Sequence, residues 1–389
     1  MMSAGFDAAH ESAAVSKPPP ASRPRAVVCD FCGHPYLRPC TAETEASCPN
    51  MIAKRQAEAG EQQSIRHHYI PQFYSRRWAG DDDRICEFSR PYKKIHRRRV
   101  YPKQTGFQDM LYEKKGVPKS IAQQVEDKFM SPVDNFAAKA LDIIEADVDK
   151  IKNDAEQQSA WSLFLITLMT RMPEDLAALT EILEDDWNRD LPLHKQKYVA
   201  NRKPDDPETI EEFIEKKDPD HIGRWVMNVA PELMDHEGIG QALNGMRWSV
   251  VHTPDDAPPF LSSDRPLYMC KTFSESGCYL TLPIGPHRLF VATNNQETER
   301  TFKDRPPKDL VRETNFQVVK QAVKYVYGVD DSEREFIDKL ISSDRPPSLL
   351  ERLRDRRRQK YAPAGKPGEA TRSRPSPNAA GTAPETTAR

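Results

Sequence analysis

Two histidines stand side by side in RHHYIPQFYSRRWAG, at His67 and His68, with a proline three residues after the second. Pro71 suits the first position of a helix, where its missing N–H would have no partner anyway, and Gly80 suits the position just past the end. The spacing therefore predicts a short helix over 71–79, with Phe73 beside Arg77 and Tyr74 beside Trp78. Tyr69 and Ile70 precede a proline and are expected to be extended. His67 and His68 then approach a helix N-terminus, which attracts anions and disfavours histidine protonation. Neutral imidazoles there could act as bases, metal ligands or hydrogen-bond donors; the plainer alternative is one ring bonded to a backbone carbonyl and the other solvated.

A second constellation is CDFCGHPYLRPCTAETEASC, which places Cys29, Cys32, Cys40 and Cys48 within twenty residues. The C-x2-C pair lets one tight turn offer two thiolates to a tetrahedral zinc. The second pair is separated by seven residues, and His34 could replace either cysteine as a ligand. So few apolar residues could hardly form a core without metal, which is where zinc-dependent folding operates. Cys86, Cys270 and Cys278 are scattered.

These groups must be carried by 389 residues, enough for one large or two modest domains. Mean hydropathy of -0.74 indicates a soluble chain. The most apolar run, WSLFLITLM from Trp161, is far short of the roughly 20 residues that span a bilayer, so no membrane residence is expected. The first residues lack a basic start followed by an apolar stretch, and the expected location is the cytoplasm. Residues 1–26 and 361–389 are rich in Ala, Ser and Pro and are expected to be disordered tails. A zinc-type module over 27–50 and a main domain over 62–360 complete the division.

Within the main domain, RICEFSRPYKKIHRRRVYPK reads as a hairpin. Two helical segments follow, the first interrupted at Pro132 and the second carrying Arg171 directly after its apolar run, where a guanidinium needs a partner. DPETIEEFIEKK reads as a helix capped by Asp206 and Pro207. After Asn244 the pattern changes: MRWSVVHT, FLSSD, CYLTLPIG and RLFVAT are short, β-branched or aromatic, and read as antiparallel strands. NFQVVKQAVKYVYG then carries a helical stripe, Ser332 and Glu335 make a capping box, and SLLERLRDRRRQK is a basic helix. The fold class is α+β, helix-rich with an antiparallel sheet. The strands after Asn244 are expected to pair with the hairpin near Ile85, under the helix containing Trp161.

SSDRP occurs twice, at Ser262–Pro266 and Ser342–Pro346. The first lies between apolar segments, which puts Asp264 at a strand end near the core. In the second, between surface helices, Asp344 can do little beyond capping.

HHYIPQFY, the hairpin running into GFQDMLYE, RMP after an apolar helix, FLSSDRP, LPIGP, and a closing segment with Asn315, Ala322 and Tyr325 together resemble the bacterial "domain of unknown function 4238" family over roughly 62–328. Arg265 stands where that pattern usually has an asparagine or similar residue. The family name carries no activity. The resemblance does single out the polar members of otherwise apolar motifs, His67, His68, Arg171 and Asp264, as a shared catalytic site.

Two functions compete. In one, the domain is a hydrolase acting on a phosphodiester or nucleic acid: a histidine activates water, Asp264 orients it or binds a metal, and Arg171 stabilises developing negative charge. In the other, the chain binds nucleic acid without catalysis, through the zinc module and the basic segments 93–99 and 352–360, while the histidines and Asp264 hold the fold. There is no P-loop, Rossmann glycine fingerprint, H-E-x-x-H helix or G-x-S-x-G elbow.

The cysteine module is expected to hold a single structural zinc. Elemental analysis of the full chain should find one zinc per molecule, and a chain lacking residues 1–60 should have lost it; equal zinc in both would refute the assignment.

Overall fold

A computed structural model describes residues 27–28, 35–36, 65–341 and 345–362. Cys29, Cys32, Cys40, Cys48 and His34, both tails and Asp344 lie outside the described residues. The chain divides at Ser64. Before it, Val27–Val28 and Pro35–Tyr36 are two short antiparallel strands. After it comes the α+β domain.

Its strands are β1 (Arg66–His68), β2 (Ile85–Ser89), β3 (His96–Val100), β4 (Phe107–Asp109), β5 (Arg247–His252), β6 (Ser262–Ser263), β7 (Tyr268–Met269), β8 (Tyr279–Gly285), β9 (Arg288–Thr293) and β10 (Tyr325–Gly328). They form two four-stranded antiparallel sheets, ordered β5-β9-β8-β7 and β3-β2-β10-β6, and the pair β1-β4. The expected hairpin is β2-β3, running from Ile85↔Val100 at its open end to Ser89↔His96 beside the turn. Of the four strand segments expected after Asn244, only that of β6 reaches the hairpin's sheet, and it does so through β10, a strand in place of the expected helix, which itself pairs with β2.

The first sheet is buried on both faces, which explains its near-continuous apolar strands. Phe290, Leu280, Leu282 and Ile284 turn to the helix Ala155–Thr170, where Trp161 meets Phe290 edge-on at 5.5 Å. Leu289 and Val291, at alternate positions of β9, face Phe302, Leu310 and Val311. The helix Pro307–Gln321 supplies the last two and, further along, packs Val318 and Val319 on the second sheet against Phe88 and Val326. One helix thus backs both sheets. Between its two contacts, Asn315 accepts from Leu261 N–H at 2.8 Å and donates to the Pro259 carbonyl at 3.0 Å.

That helix stops where the apolar stripe would carry it on. A continuing helix would spend the N–H groups of Val323, Lys324 and Tyr325 on carbonyls four residues back. Instead all three donate to the Asp264 carboxylate, at 2.8, 2.6 and 2.9 Å. The backbone turns extended at Ala322, and YVYG becomes β10.

Three other boundaries differ from expectation. Pro71 precedes an α-turn over Gln72–Ser75 that tightens into a 3-10 turn over Arg76–Trp78. Thr209, not Asp206, caps the helix Ile210–Lys217, its hydroxyl accepting from Glu212 N–H. The Ser332 box does not form: the helix Arg334–Leu340 has no side-chain cap, and Ser332 N–H donates to Asp330. The basic helix is Leu349–Tyr361, capped by Ser348 with Glu351 in return.

A buried N–H left unpaired costs about 1–3 kcal/mol, and Asp264→Ala orphans three. Urea unfolding should show a loss above roughly 3 kcal/mol, with Asp264→Asn, which keeps one acceptor oxygen, in between. Wild-type stability in the alanine variant would show that the three bonds do not hold the helix-to-strand switch.

Candidate functional site

β1 and β4 pair His67 with Gln108 and His68 with Phe107. The tight approach of this ribbon to the following turn requires Gly106, at φ +64, because a Cβ there would stand 2.9 Å from Ile70 Cβ. Adjacent residues of a strand face opposite ways, so the two imidazoles have different surroundings.

His67 is fully buried and both ring nitrogens are engaged. Nδ1 accepts from the Tyr112 N–H at 2.9 Å, so Nε2 carries the proton and donates to Gln123 Oε1 at 2.7 Å. The ring stacks on Tyr112 at 5.6 Å. Burial lowers its pKa, against the Gln123 bond.

His68 is half-buried, tilted against Phe107, and its Nε2 is buried with no partner among the described residues. Burial takes its pKa down to about 4, a backbone hydrogen bond with Lys103 works against this, and Arg171 adds to it. The ring is neutral at pH 7, with a nitrogen to spare.

Arg171 ends the helix Ala155–Thr170 and is wholly buried. Such a cation must be compensated. Asp134, on the helix Ser131–Ala146, takes Nη1 and Nη2 as a fork at 2.9 and 3.0 Å, and Nη2 also reaches the His68 carbonyl at 3.3 Å. Tyr112 Oη donates to the Arg171 carbonyl at 2.9 Å. Nε has no partner among the described residues.

Asp264 is separate. It is fully buried, and no hydrogen bond or ion pair joins it to His67, His68 or Arg171 among the described residues; backbone N–H groups take both its oxygens. Burial pushes its carboxyl up to about 6, with the three N–H groups pulling the other way. The ribbon and Arg171 thus come together, while Asp264 serves the junction of Ala322 with β10.

One member of the Arg171 cluster was not singled out by the sequence. Glu126 sits where the chain makes a π-turn over Glu126–Met130, just before Pro132. Pro132 has no N–H to give the preceding turn, which lets the register widen, and π-turns recur at functional sites. Ser131 Oγ donates to Glu126 Oε1 at 3.1 Å, while Oε2 is buried without a partner among the described residues. Burial raises this carboxyl to about 7, Asp134 adds to the rise, and Arg171 opposes it. In sequence Glu126 is one of many helical glutamates; only the break at Pro132 hints at it.

Around the Arg171–Asp134 pair there are therefore a neutral imidazole nitrogen, a carboxyl poised near neutrality and a guanidinium N–H, all unspent. His68, Glu126 and Asp134 are only partly covered, the Asp134 side chain being 21% exposed, so the cluster borders solvent. Among the described residues no three His, Cys, Asp or Glu side chains are grouped to hold a metal.

The basic segments are largely answered within the chain. Arg97 pairs with Asp331, Arg98 with Glu87 and Arg99 with Asp82. In the last helix Arg354 pairs with Glu181, Arg357 with Asp186 and Arg358 with Asp185. No helix among the described residues is long and apolar enough to cross a membrane.

The family described as "Protein of unknown function (DUF4238)" matches residues 66–332, more than half of the chain. No curated protein and no solved structure matches.

Glu126 gives a pH signature. Its folded pKa of about 7 lies above the ordinary 4.5, so between those values the native state holds a proton that the unfolded chain has released. Its contribution is fully present below pH 4.5 and lost as pH rises through about 7. Glu126→Gln removes that loss. Melting curves should show the variant gaining on wild type across the window, by at most roughly 3.5 kcal/mol at about 1.4 kcal/mol per pKa unit; a pH-independent difference would refute the assignment.

Proposed function

We propose, from the premise that the chain belongs to the DUF4238 family of proteins of unknown function, that its domain is a hydrolase acting on a phosphodiester or nucleic acid, worked by Glu126, His68 and Arg171. The observation that carries the reading is the trio of unspent buried polar atoms around the Arg171–Asp134 pair. Buried polar atoms are nearly always paired, so three together argue for a ligand that completes them. Glu126 takes a proton from water, a role that favours a group with pKa near the working pH. His68 Nε2 accepts from the same water and orients it. As oxygen bonds to phosphorus and the ester P–O bond breaks, the free N–H of Arg171 faces the developing negative charge. Glu126 then returns its proton to the leaving oxygen. Asp134 keeps the guanidinium in place. His67, with both nitrogens spent, holds the ribbon on which His68 sits, and Asp264 holds the strand junction.

A non-catalytic nucleic-acid binder using 93–99 and 352–360 is the alternative. It is favoured only by Lys93, Lys94 and Arg356, which are exposed and pair with nothing among the described residues.

A screen of nucleic acids and simple phosphodiesters tests the proposal. Turnover should rise through about pH 7 as Glu126 loses its proton, and Glu126→Gln should lose that rise. His68→Ala should abolish turnover with little change in melting temperature, whereas His67→Ala should cost about 1–3 kcal/mol through the partners left unpaired. Nucleic-acid binding without wild-type turnover would favour the alternative.

A further inference from the structure

The segment that begins at the histidines ends in a different place. Arg76 and Arg77, at its far end, line an open cleft of about 720 Å³ together with Phe73, His252, His287 and Arg288. The floor is the bulged end of β8, where the register slips between Pro283 and Gly285. A Cβ built on Gly285 would meet nothing within 4 Å, so the cleft runs down to the backbone there.

The charges are arranged unevenly. Arg77 is held in place, its Nε donating to the Ile284 carbonyl at 3.2 Å and its Nη2 pairing with Glu145, which Arg288 shares at 3.0 Å. One carboxylate thus serves two guanidiniums and leaves donors of both unspent. The Arg76 side chain is exposed and makes no hydrogen bond or ion pair among the described residues. Asp142, acting on Arg77, and Asp255 on the rim offset part of this charge. His287 leans on Thr253 through Nδ1 at 3.3 Å, and His252 is exposed. Phe73 gives the wall an apolar plane: its ring rests against Phe164 at 5.4 Å and is half-buried where it borders the cleft.

We propose that this cleft binds a phosphorylated small molecule of the nucleoside monophosphate class, its phosphate held by Arg76, Arg77 and Arg288 and its planar ring laid on Phe73. Guanidiniums match phosphate through paired N–H donors, and aromatic faces take bases of any sequence by stacking. The volume lies within the roughly 300–1,000 Å³ usual for small-ligand sites. The site shares no residue with the Glu126–His68–Arg171 cluster, so it stands whether or not that cluster hydrolyses anything.

The test is calorimetric titration of the full chain with AMP, UMP, inorganic phosphate and a single-stranded DNA oligonucleotide, at low and raised salt. The expected result is mononucleotide binding that is tighter than phosphate binding and weakens with salt. Arg76→Ala should reduce it about tenfold or more. Because Arg76 is exposed and unpaired, that variant threatens no part of the fold. Gly285→Val, which fills the floor without touching a charge, should block the site. Absence of mononucleotide binding, equal affinity for phosphate and mononucleotide, binding of the oligonucleotide alone, or unchanged binding in Arg76→Ala would each overturn the proposal.

Discussion

A single carboxylate decides how the second sheet is built. Asp264 draws three consecutive N–H groups out of the path of the helix Pro307–Gln321, and the chain that could have gone on as helix becomes β10. β10 is the central link of its sheet, joining the hairpin strand β2 on one side to β6 on the other. Without it the hairpin would face the core with an unpaired edge, and unpaired strand edges are a liability. The same aspartate donates its own N–H to the Tyr325 carbonyl, so each side of the junction holds the other.

The aromatic turn after the histidines performs a comparable service between the sheets. Tyr74 Oη donates to the Pro283 carbonyl of β8 and accepts from Ser262 of β6, and Trp78 Nε1 donates to the Phe260 carbonyl. These polar tips are buried with their rings, and a buried hydroxyl or indole N–H is costly unless paired. The turn therefore has one seating. That seating fixes the ribbon carrying His68 at one end and Arg76 and Arg77 at the other, so the Arg171 cluster and the basic cleft are both positioned by one short segment.

Arg171 shows why the Arg171 cluster is shaped as it is. Removing a guanidinium from water is expensive, and attraction to one carboxylate repays it only with good geometry and further hydrogen bonds. The fork to Asp134 and the His68 carbonyl provide most of this. Burial at the same place raises the carboxyl of Glu126, against the pull of Arg171, and lowers the imidazole of His68, with Arg171 adding to the fall. A structural debt and a set of perturbed groups thus arise together, as they commonly do at working sites.

The local patterns of the sequence determined a good deal. The hairpin in RICEFSRPYKKIHRRRVYPK and the apolar helix at Trp161 each follow from neighbours a few residues apart, and each stands in the structure. Arg171 and Asp264, polar residues inside apolar motifs, were legible as groups near the core, but His68 was expected on the core side, whereas His67 is the fully buried ring. The partners of these groups were not legible. Asp134 lies 37 residues before Arg171 and Gln123 lies 56 after His67, and nothing in either local pattern points to the other. The same holds for charge: a run such as HRRRV reads as a phosphate-binding face until Asp331, Glu87 and Asp82 are found opposite it. NFQVVKQAVKYVYG has helical periodicity throughout, yet it divides at Ala322, because the competitor for its N–H groups is a carboxylate about sixty residues earlier. Propensity and periodicity are set by near neighbours in the chain, whereas the pairing of buried polar groups is set by distance in space, and only the folded chain brings those groups within hydrogen-bond reach.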